Sequence, residues 1–163
     1  MMFSSSFEVD DLSVVHWPAA FITINSISQL SNIPPYVMSI SIQDTVGYFD
    51  SSFTSFHFSS YPILRTIDIG NFCFKYAREF VLDGLEQLES VKIGDGCFII
   101  SNKEHNDGLL RITNCPNLTQ LEIGNESFRD YMKFELSNVN SLQSIQFGSS
   151  CFFYAENCIL KGE

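Results

Sequence analysis

Positive charge is scarce in this 163-residue chain: nine Lys and Arg stand against nineteen Asp and Glu, for a net charge of −10, and residues 1–61 contain neither Lys nor Arg. A surface of that sign repels phosphate backbones and anionic headgroups, so nucleic acid is not an expected partner. Only three His occur, and none accompanies a GxSxG or comparable nucleophile motif. No enzyme activity is therefore expected. Glycines fall at a repeated position and not in a GxGxxG or P-loop pattern, CxxC is absent, and Cys115 and Cys158 stand alone. No nucleotide, metal or other cofactor is expected on these grounds.

Long apolar runs are also missing. The best stretch, VVHWPAAFITI, is broken by His16, Pro18 and Thr23, well short of the ~20 apolar residues that span a bilayer. The N-terminus, MMFSSSFEVDDLS, has acids where a secretory signal has bases. Five cysteines are an odd count, and three of them recur at one repeated position, which is not how disulfide frameworks are built. Reduced thiols, packed as small apolar side chains, are the expected state. These features point to the cytoplasm, and to the cell surface only if the chain is a fragment of a longer protein.

What the chain does have is a repeat. LRTIDIGNFCF, LESVKIGDGCF, LTQLEIGNESF and LQSIQFGSSCF begin at Leu64, Leu88, Leu118 and Leu142, with spacings of 24, 30 and 24 residues. Counting from each leucine, position 4 is Ile67, Val91, Leu121 and Ile145, and position 6 is Ile69, Ile93, Ile123 and Phe147. Position 7 is Gly70, Gly94, Gly124 and Gly148, and position 11 is Phe74, Phe98, Phe128 and Phe152. A second alternating segment supplies Phe80 and Leu82, Leu110 and Ile112, Phe134 and Leu136, and Cys158 and Leu160 at positions 17 and 19, once six extra residues of the second unit are set aside. Sixteen phenylalanines against one tryptophan fit a side chain that fills one recurrent slot.

Period-2 alternation of β-branched and aromatic residues predicts two short strands per unit. Glycine at position 7 ends the first strand, either by adopting positive φ or by letting the neighbouring backbone approach, and the Cys and Phe after it turn inward. A single unit is too small to bury its apolar face alone, so the units stack.

This LxxIxI spacing with an inward residue at position 11 resembles the leucine-rich repeat family, whose signature is LxxLxLxx(N/C)xL. The IG, CF and FxL elements look like the divergent leucine-rich repeats found in large sets in unicellular eukaryotes. The chain departs from the family at position 9, where Phe72, Gly96, Glu126 and Ser150 stand in place of Asn or Cys. It also departs where FxL reads as strand and not helix. The resemblance implies a mainly β leucine-rich-repeat solenoid with about 24-residue coils, two short parallel strands per coil and little or no long helix. It further implies a non-enzymatic protein–protein interaction module, within a surface receptor or a scaffold.

The expected organisation is one domain over residues 1–163. Residues 1–20 form a tail or N-terminal cap, 21–63 degenerate coils, and 64–163 the four clear repeats. In the degenerate part, Val37, Ile40 and Ile42 fit positions 1, 4 and 6, and Phe56, Phe58 and Tyr61 fit 17, 19 and 22. Ile22, Ile24 and Ile27 are read as the second half of a still earlier coil.

Outward positions define the candidate protein-binding surface. Position 5 carries Asp68, Lys92, Glu122 and Gln146, and position 2 pairs Arg65 with Glu89. Arg111 stands one coil from Glu135. Vertical neighbours of opposite sign satisfy one another, so the same residues also serve register and solubility. The insertion in SNKEHNDGLL adds Lys103, Glu104, His105 and Asp107 as a projecting loop, of which Lys103 and His105 are candidate binding residues. The chain stops in ILKGE at position 22 of a unit, which leaves a coil edge for a partner or a second copy, so self-association through the C-terminal edge is the alternative reading.

Overall fold

The computed structural model of the chain describes residues 20–59, 61–100 and 107–161. Residues 1–19 of the tail or cap expected over 1–20, and the insertion residues Lys103, Glu104 and His105, lie outside the described residues.

Alternating segments become strands where the sequence predicts them. In chain order these are β1 Phe21–Ile24, the one-turn helix α1 Ile27–Leu30, β2 Ser39–Ile42, β3 Ser55–Phe58, β4 Thr66–Ile69 and β5 Glu79–Asp83. They continue as β6 Ser90–Ile93, β7 Gly108–Thr113, β8 Gln120–Ile123, β9 Tyr131–Ser137, β10 Ser144–Phe147 and β11 Asn157–Lys161. All pairing is parallel, in a six-stranded sheet of order β1-β2-β4-β6-β8-β10 and a five-stranded sheet of order β11-β9-β7-β5-β3. From β2 onward the chain passes alternately through the two sheets, so each unit contributes one strand to each.

Register follows the repeat. Ile40 pairs with Ile67, Ile67 with Val91, Val91 with Leu121 and Leu121 with Ile145, all of them position 4. In the other sheet Phe56, Phe80, Leu110, Phe134 and Cys158 form one row, all of them position 17. Because a one-residue slip would turn every apolar side chain outward, this burial pattern holds the register. The inward residues of both sheets form a single core.

The phenylalanine excess occupies that core. Phe98 stacks on Phe128 at 4.7 Å and 4° and Phe128 on Phe152 at 5.4 Å and 2°, while Phe74 continues the column tilted by 34° against Phe98 at 5.4 Å. Phe80 of the opposite sheet meets Phe98 edge-on at 5.2 Å. All four residues of this column lie in the left-handed region, with φ of 53°, 54°, 55° and 51° for Phe74, Phe98, Phe128 and Phe152. That conformation costs a bulky residue about 1–3 kcal/mol. Burying the ring returns roughly 1.5–3 kcal/mol, and the aromatic contacts about 0.5–1.5 more. Burial therefore outweighs the strain wherever the ring is enclosed, as it is for Phe74, Phe98 and Phe128. In the unit starting at Val37 the same position is Gly47, φ +72°, where a Cβ would lie 2.8 Å from Ile27 and 2.9 Å from Phe74. Ile27 fills the space that a fifth ring would take.

Of the two roles open to the position-7 glycine, close approach is the one observed. Gly94 does not have positive φ; a Cβ there would sit 2.6 Å from Asn71 Oδ1 and 2.8 Å from the Gly70 carbonyl carbon. Positive φ falls instead at positions 9, 11 and 21, where Gly84, Asn114 and Asn138 share position 21 with φ of 68°, 53° and 54°.

One expectation is corrected. Ile22 and Ile24 belong to the first half of their unit, because β1 pairs with β2 in the six-stranded sheet, Ile22 opposite Ile40 and Ile24 opposite Ile42. The return segment 25–38 forms α1 and turns but no strand. Pro34 and Pro35 cannot donate to a ladder, and Ile27, Leu30 and Ile33 pack on the core in place of a strand's side chains.

Where the unit starting at Leu88 resumes pairing, Gly108 lies opposite Tyr131 and Leu109 opposite Lys133, so the register shifts by one residue and Met132 of β9 is the extra residue. Tyr131 fills the space behind the shift, fully buried, and donates its hydroxyl to the Ala77 carbonyl at 2.9 Å. A Cβ on Gly108 would lie 2.7 Å from the Tyr131 ring.

Two glycine substitutions separate these roles. Gly94→Ala forces backbone apart and is expected to cost about 1–3 kcal/mol, whereas Gly84→Asn, with nothing within 4 Å of its Cβ, is expected to stay within about 0.5 kcal/mol. Urea unfolding of both variants checks this, and equal losses would contradict it.

Candidate functional site

The outer face of the six-stranded sheet is built by strands whose inward residues are fixed by the core, which leaves positions 3 and 5 facing solvent. Position 5 forms the row Thr23, Ser41, Asp68, Lys92, Glu122, Gln146, and position 3 the row Phe21, Ser39, Thr66, Ser90, Gln120, Ser144. Thr66 Oγ1 donates to Ser39 Oγ at 2.6 Å, and Gln120 Nε2 to Glu122 Oε1 at 2.6 Å. At one end of this face an open groove of about 640 Å³ is lined in part by Asp44, Asp68, Asn71 and Lys92.

Position 2 supplies the expected vertical pair, with Arg65 Nη1 2.8 Å from Glu89 Oε1. On the five-stranded sheet Arg111 Nε lies 2.9 Å from Glu135 Oε2, and His57 Nε2 2.8 Å from Glu79 Oε2. Asp107, the described residue of the insertion, pairs with Arg78 at 3.3 Å. The structure thus brings Asp68, Lys92, Glu122 and Gln146 into one row and sets Arg65 and Glu89 beside it. Lys103 and His105 lie outside the described residues.

Two columns of polar side chains in the bends, which the sequence reading did not single out, hold successive units together. At position 8 the side-chain oxygen of each residue accepts the backbone N–H of the next: Asn71 N to Asp44 Oδ1 at 2.7 Å, Asp95 N to Asn71 Oδ1 at 2.9 Å, Asn125 N to Asp95 Oδ1 at 2.7 Å, and Ser149 N to Asn125 Oδ1 at 2.9 Å. The run of Asp and Asn directly after each glycine is the signal that could have disclosed it. At position 10 Cys97 Sγ donates to the Gly70 carbonyl at 3.0 Å, Ser127 Oγ to Gly94 at 2.7 Å, and Cys151 Sγ to Gly124 at 2.9 Å. Ser127 Oγ in turn accepts the Cys97 N–H at 2.9 Å. In this column Cys73 and Cys97 are buried and Cys151 is half-buried, and each also donates a hydrogen bond from its thiol.

Hydrogen bonding to Cys73, followed by burial, raises the Cys97 thiol well above its ordinary range. Burial pushes Cys115 up to about 11. Thiols held protonated are poor nucleophiles and poor metal ligands. Among the described residues no group of three or more His, Cys, Asp and Glu is placed to hold a metal ion, and no described helix is long and apolar enough to cross a membrane.

At the other bend, Asp83 accepts from Thr113 Oγ1 at 2.7 Å and Asn114 Nδ2 at 2.8 Å. The first of these bonds lowers its carboxyl below the ordinary 3.8 more than the second, while burial opposes both. Asn117 and Asn125, which open the triplets NLT and NES, both make structural hydrogen bonds: Asn117 Nδ2 donates to Glu86 O at 2.7 Å, and Asn125 is a member of the position-8 column.

At the β10 and β11 edge, inward-pattern residues meet solvent. Phe147 is 47% exposed and Leu160 64%, beside a groove of about 410 Å³ whose apolar lining, which includes Leu136, Leu142, Ile145 and Leu160, is joined by Asn140 and Lys161. No protein-family model matches the chain, and neither curated proteins nor solved structures give a match.

Two tests follow from the bends. Ser127→Cys reproduces its neighbours in the column and is expected to keep stability within about 1 kcal/mol, whereas Ser127→Ala strands a buried N–H and costs about 1–3 kcal/mol; equal effects in thermal unfolding would contradict the column. A depressed carboxyl stabilises the fold above its unfolded value, and that contribution is lost as pH falls through the folded value. Asp83→Asn should accordingly flatten the dependence of Tm on pH below about 4, and an unchanged slope would remove the proposed role of its hydrogen bonds.

Proposed function

We propose that the chain is a leucine-rich-repeat-type solenoid acting as a non-enzymatic protein–protein interaction module, with the outer face of the six-stranded sheet as its binding surface. The observation that carries this reading is the in-register array on that face. Six parallel strands at ~4.8 Å spacing present rows of side chains about 24 Å across. Repeated strand surfaces of this kind are the recognition surfaces of solenoid proteins. Asp68, Lys92 and Glu122 alternate in sign along the central row, which favours a partner with matching alternation and disfavours one of uniform charge. Buried free thiols at Cys73, Cys97 and Cys115 support a reducing compartment.

A second reading, a self-assembling structural unit, is favoured by the exposed apolar residues of β10 and β11. Edge strands with free backbone groups are templates for further pairing, and a second copy is the occupant in this reading. Light scattering across a concentration series distinguishes it, because growth with concentration is required and a monodisperse monomer removes it.

For the leading reading, the test is co-purification with Lys92→Glu combined with Glu122→Lys. The pair inverts the charge order of the row while leaving the core intact, and it is expected to weaken partner capture by about ten-fold or more. Retention of every partner at wild-type level would rule out the strand face.

A further inference from the structure

The bends after β2 and β4 carry an aromatic surface that neither sheet needs. Phe49 is 88% exposed and meets Tyr48 edge-on at 4.8 Å; Tyr48 meets Phe72 edge-on at 6.3 Å, and Phe72 is 50% exposed. Tyr76 completes the group through Lys75, whose Nζ lies 4.9 Å from the Tyr48 ring centre and 5.5 Å from that of Tyr76. Two adjacent units thus contribute four rings and one amine to a single patch.

Folding gains little from the most prominent of these rings. Phe72 has φ of 56°, as Thr45, Glu126 and Ser150 do at the same position of other units with φ of 66°, 57° and 61°. The backbone path is therefore met by small or polar residues. The buried phenylalanines at position 11 recover the cost of positive φ by enclosure, and a half-exposed ring recovers much less. The Phe72 ring also lies against Gly96, where a Cβ would come within 2.6 Å, so the neighbouring unit makes room for it.

The setting of the patch identifies its partner's chemistry. Asp50 follows Phe49 directly, the Asp95 carbonyl accepts the Phe72 N–H at 2.7 Å, and Asp44 accepts the Asn71 N–H at 2.7 Å. Over residues 20–76 the only Lys and Arg are Arg65, which is paired with Glu89, and Lys75, which lies on the rings of the patch itself. Ring faces attract cations, guanidinium most often, and flanking carboxylates strengthen that preference. Lys75 shows that two of these rings already accept an ammonium group. We infer that the patch formed by Tyr48, Phe49, Phe72 and Tyr76 docks an extended, arginine-bearing segment of a partner protein. This rests on the interaction-module reading and gives it a second face, distinct from the strand row.

The test titrates the full chain with a fluorescently labelled peptide of alternating Arg and Ser, and with a counterpart in which citrulline replaces every Arg. Binding of the first and not the second is expected. Phe49→Ser combined with Phe72→Ser should weaken binding by about five-fold or more, while Phe153→Ser, an exposed ring elsewhere, should leave it within about two-fold. Circular dichroism is expected to be unchanged, since Ser150 already occupies the Phe72 position in another unit. The proposal is overturned if the arginine peptide does not bind, or if the double variant binds it as well as wild type, which would mean attraction to acidic surface alone. It is equally overturned if the double substitution converts a dimer into a monomer without the peptide competing, which would assign the patch to a second copy. Co-purification with the Lys92 and Glu122 charge exchange, run in parallel, separates the two claims. Loss of partners there with unchanged peptide affinity in the Phe49 and Phe72 variant leaves the strand-face reading standing and removes the patch.

Discussion

Everything in this structure depends on equivalent residues of successive units lying directly over one another at the distance of a parallel backbone hydrogen bond. The glycine at position 7 marks where that constraint is tightest. Gly94 and Gly124 lie against the bend of the unit before, with room for a hydrogen and not for a methyl group. Once the backbones meet there, the side chains that follow are forced into columns, and each column must satisfy itself vertically. Apolar columns do so by burial, as with Ile67, Val91 and Leu121. Polar columns do so by handing a hydrogen bond from unit to unit, as with Asp44, Asn71, Asp95 and Asn125.

The strand positions were legible in the sequence because their signal is local and has a period of two. In the units starting at Leu64, Leu88 and Leu118, those leucines and the apolar pairs at positions 4 and 6 and at 17 and 19 are buried as the alternation requires. The bends were not legible, because alternation says nothing about backbone path. Nothing in the one-dimensional pattern places Phe74, Phe98 and Phe128 at positive φ, since that conformation is disfavoured for a bulky residue in isolation and becomes tolerable only when the ring is enclosed. Ile22 and Ile24 were assigned to the wrong half of their unit for a related reason: an alternating triplet fits either sheet, and only pairing with Ile40 and Ile42 decides.

The candidate surface was read in a similar proportion. The vertical ion pairs Arg65 with Glu89 and Arg111 with Glu135 follow from spacing alone, as does the row from Asp68 to Gln146. The aromatic patch does not, because Tyr48 and Phe49 belong to the least regular unit and Phe72 sits where the repeat shows no consensus. Cys73 and Cys97 were legible as buried groups, yet their hydrogen bonds were not. Only the presence of Ser127 in their column, donating to Gly94 as Cys97 donates to Gly70, shows that a donor is needed there as well as a small volume.

The most direct test of unit-on-unit stacking is the unfolding of a chain from which residues 64–87, one whole 24-residue period, have been excised, compared with one lacking only 64–75. Removing a full period rejoins Ile63 to Leu88 and leaves every column in register, so this variant should retain β-sheet circular dichroism and a cooperative transition. Removing half a period places first-strand residues over second-strand residues and should abolish both. Equal behaviour of the two deletions would contradict the account.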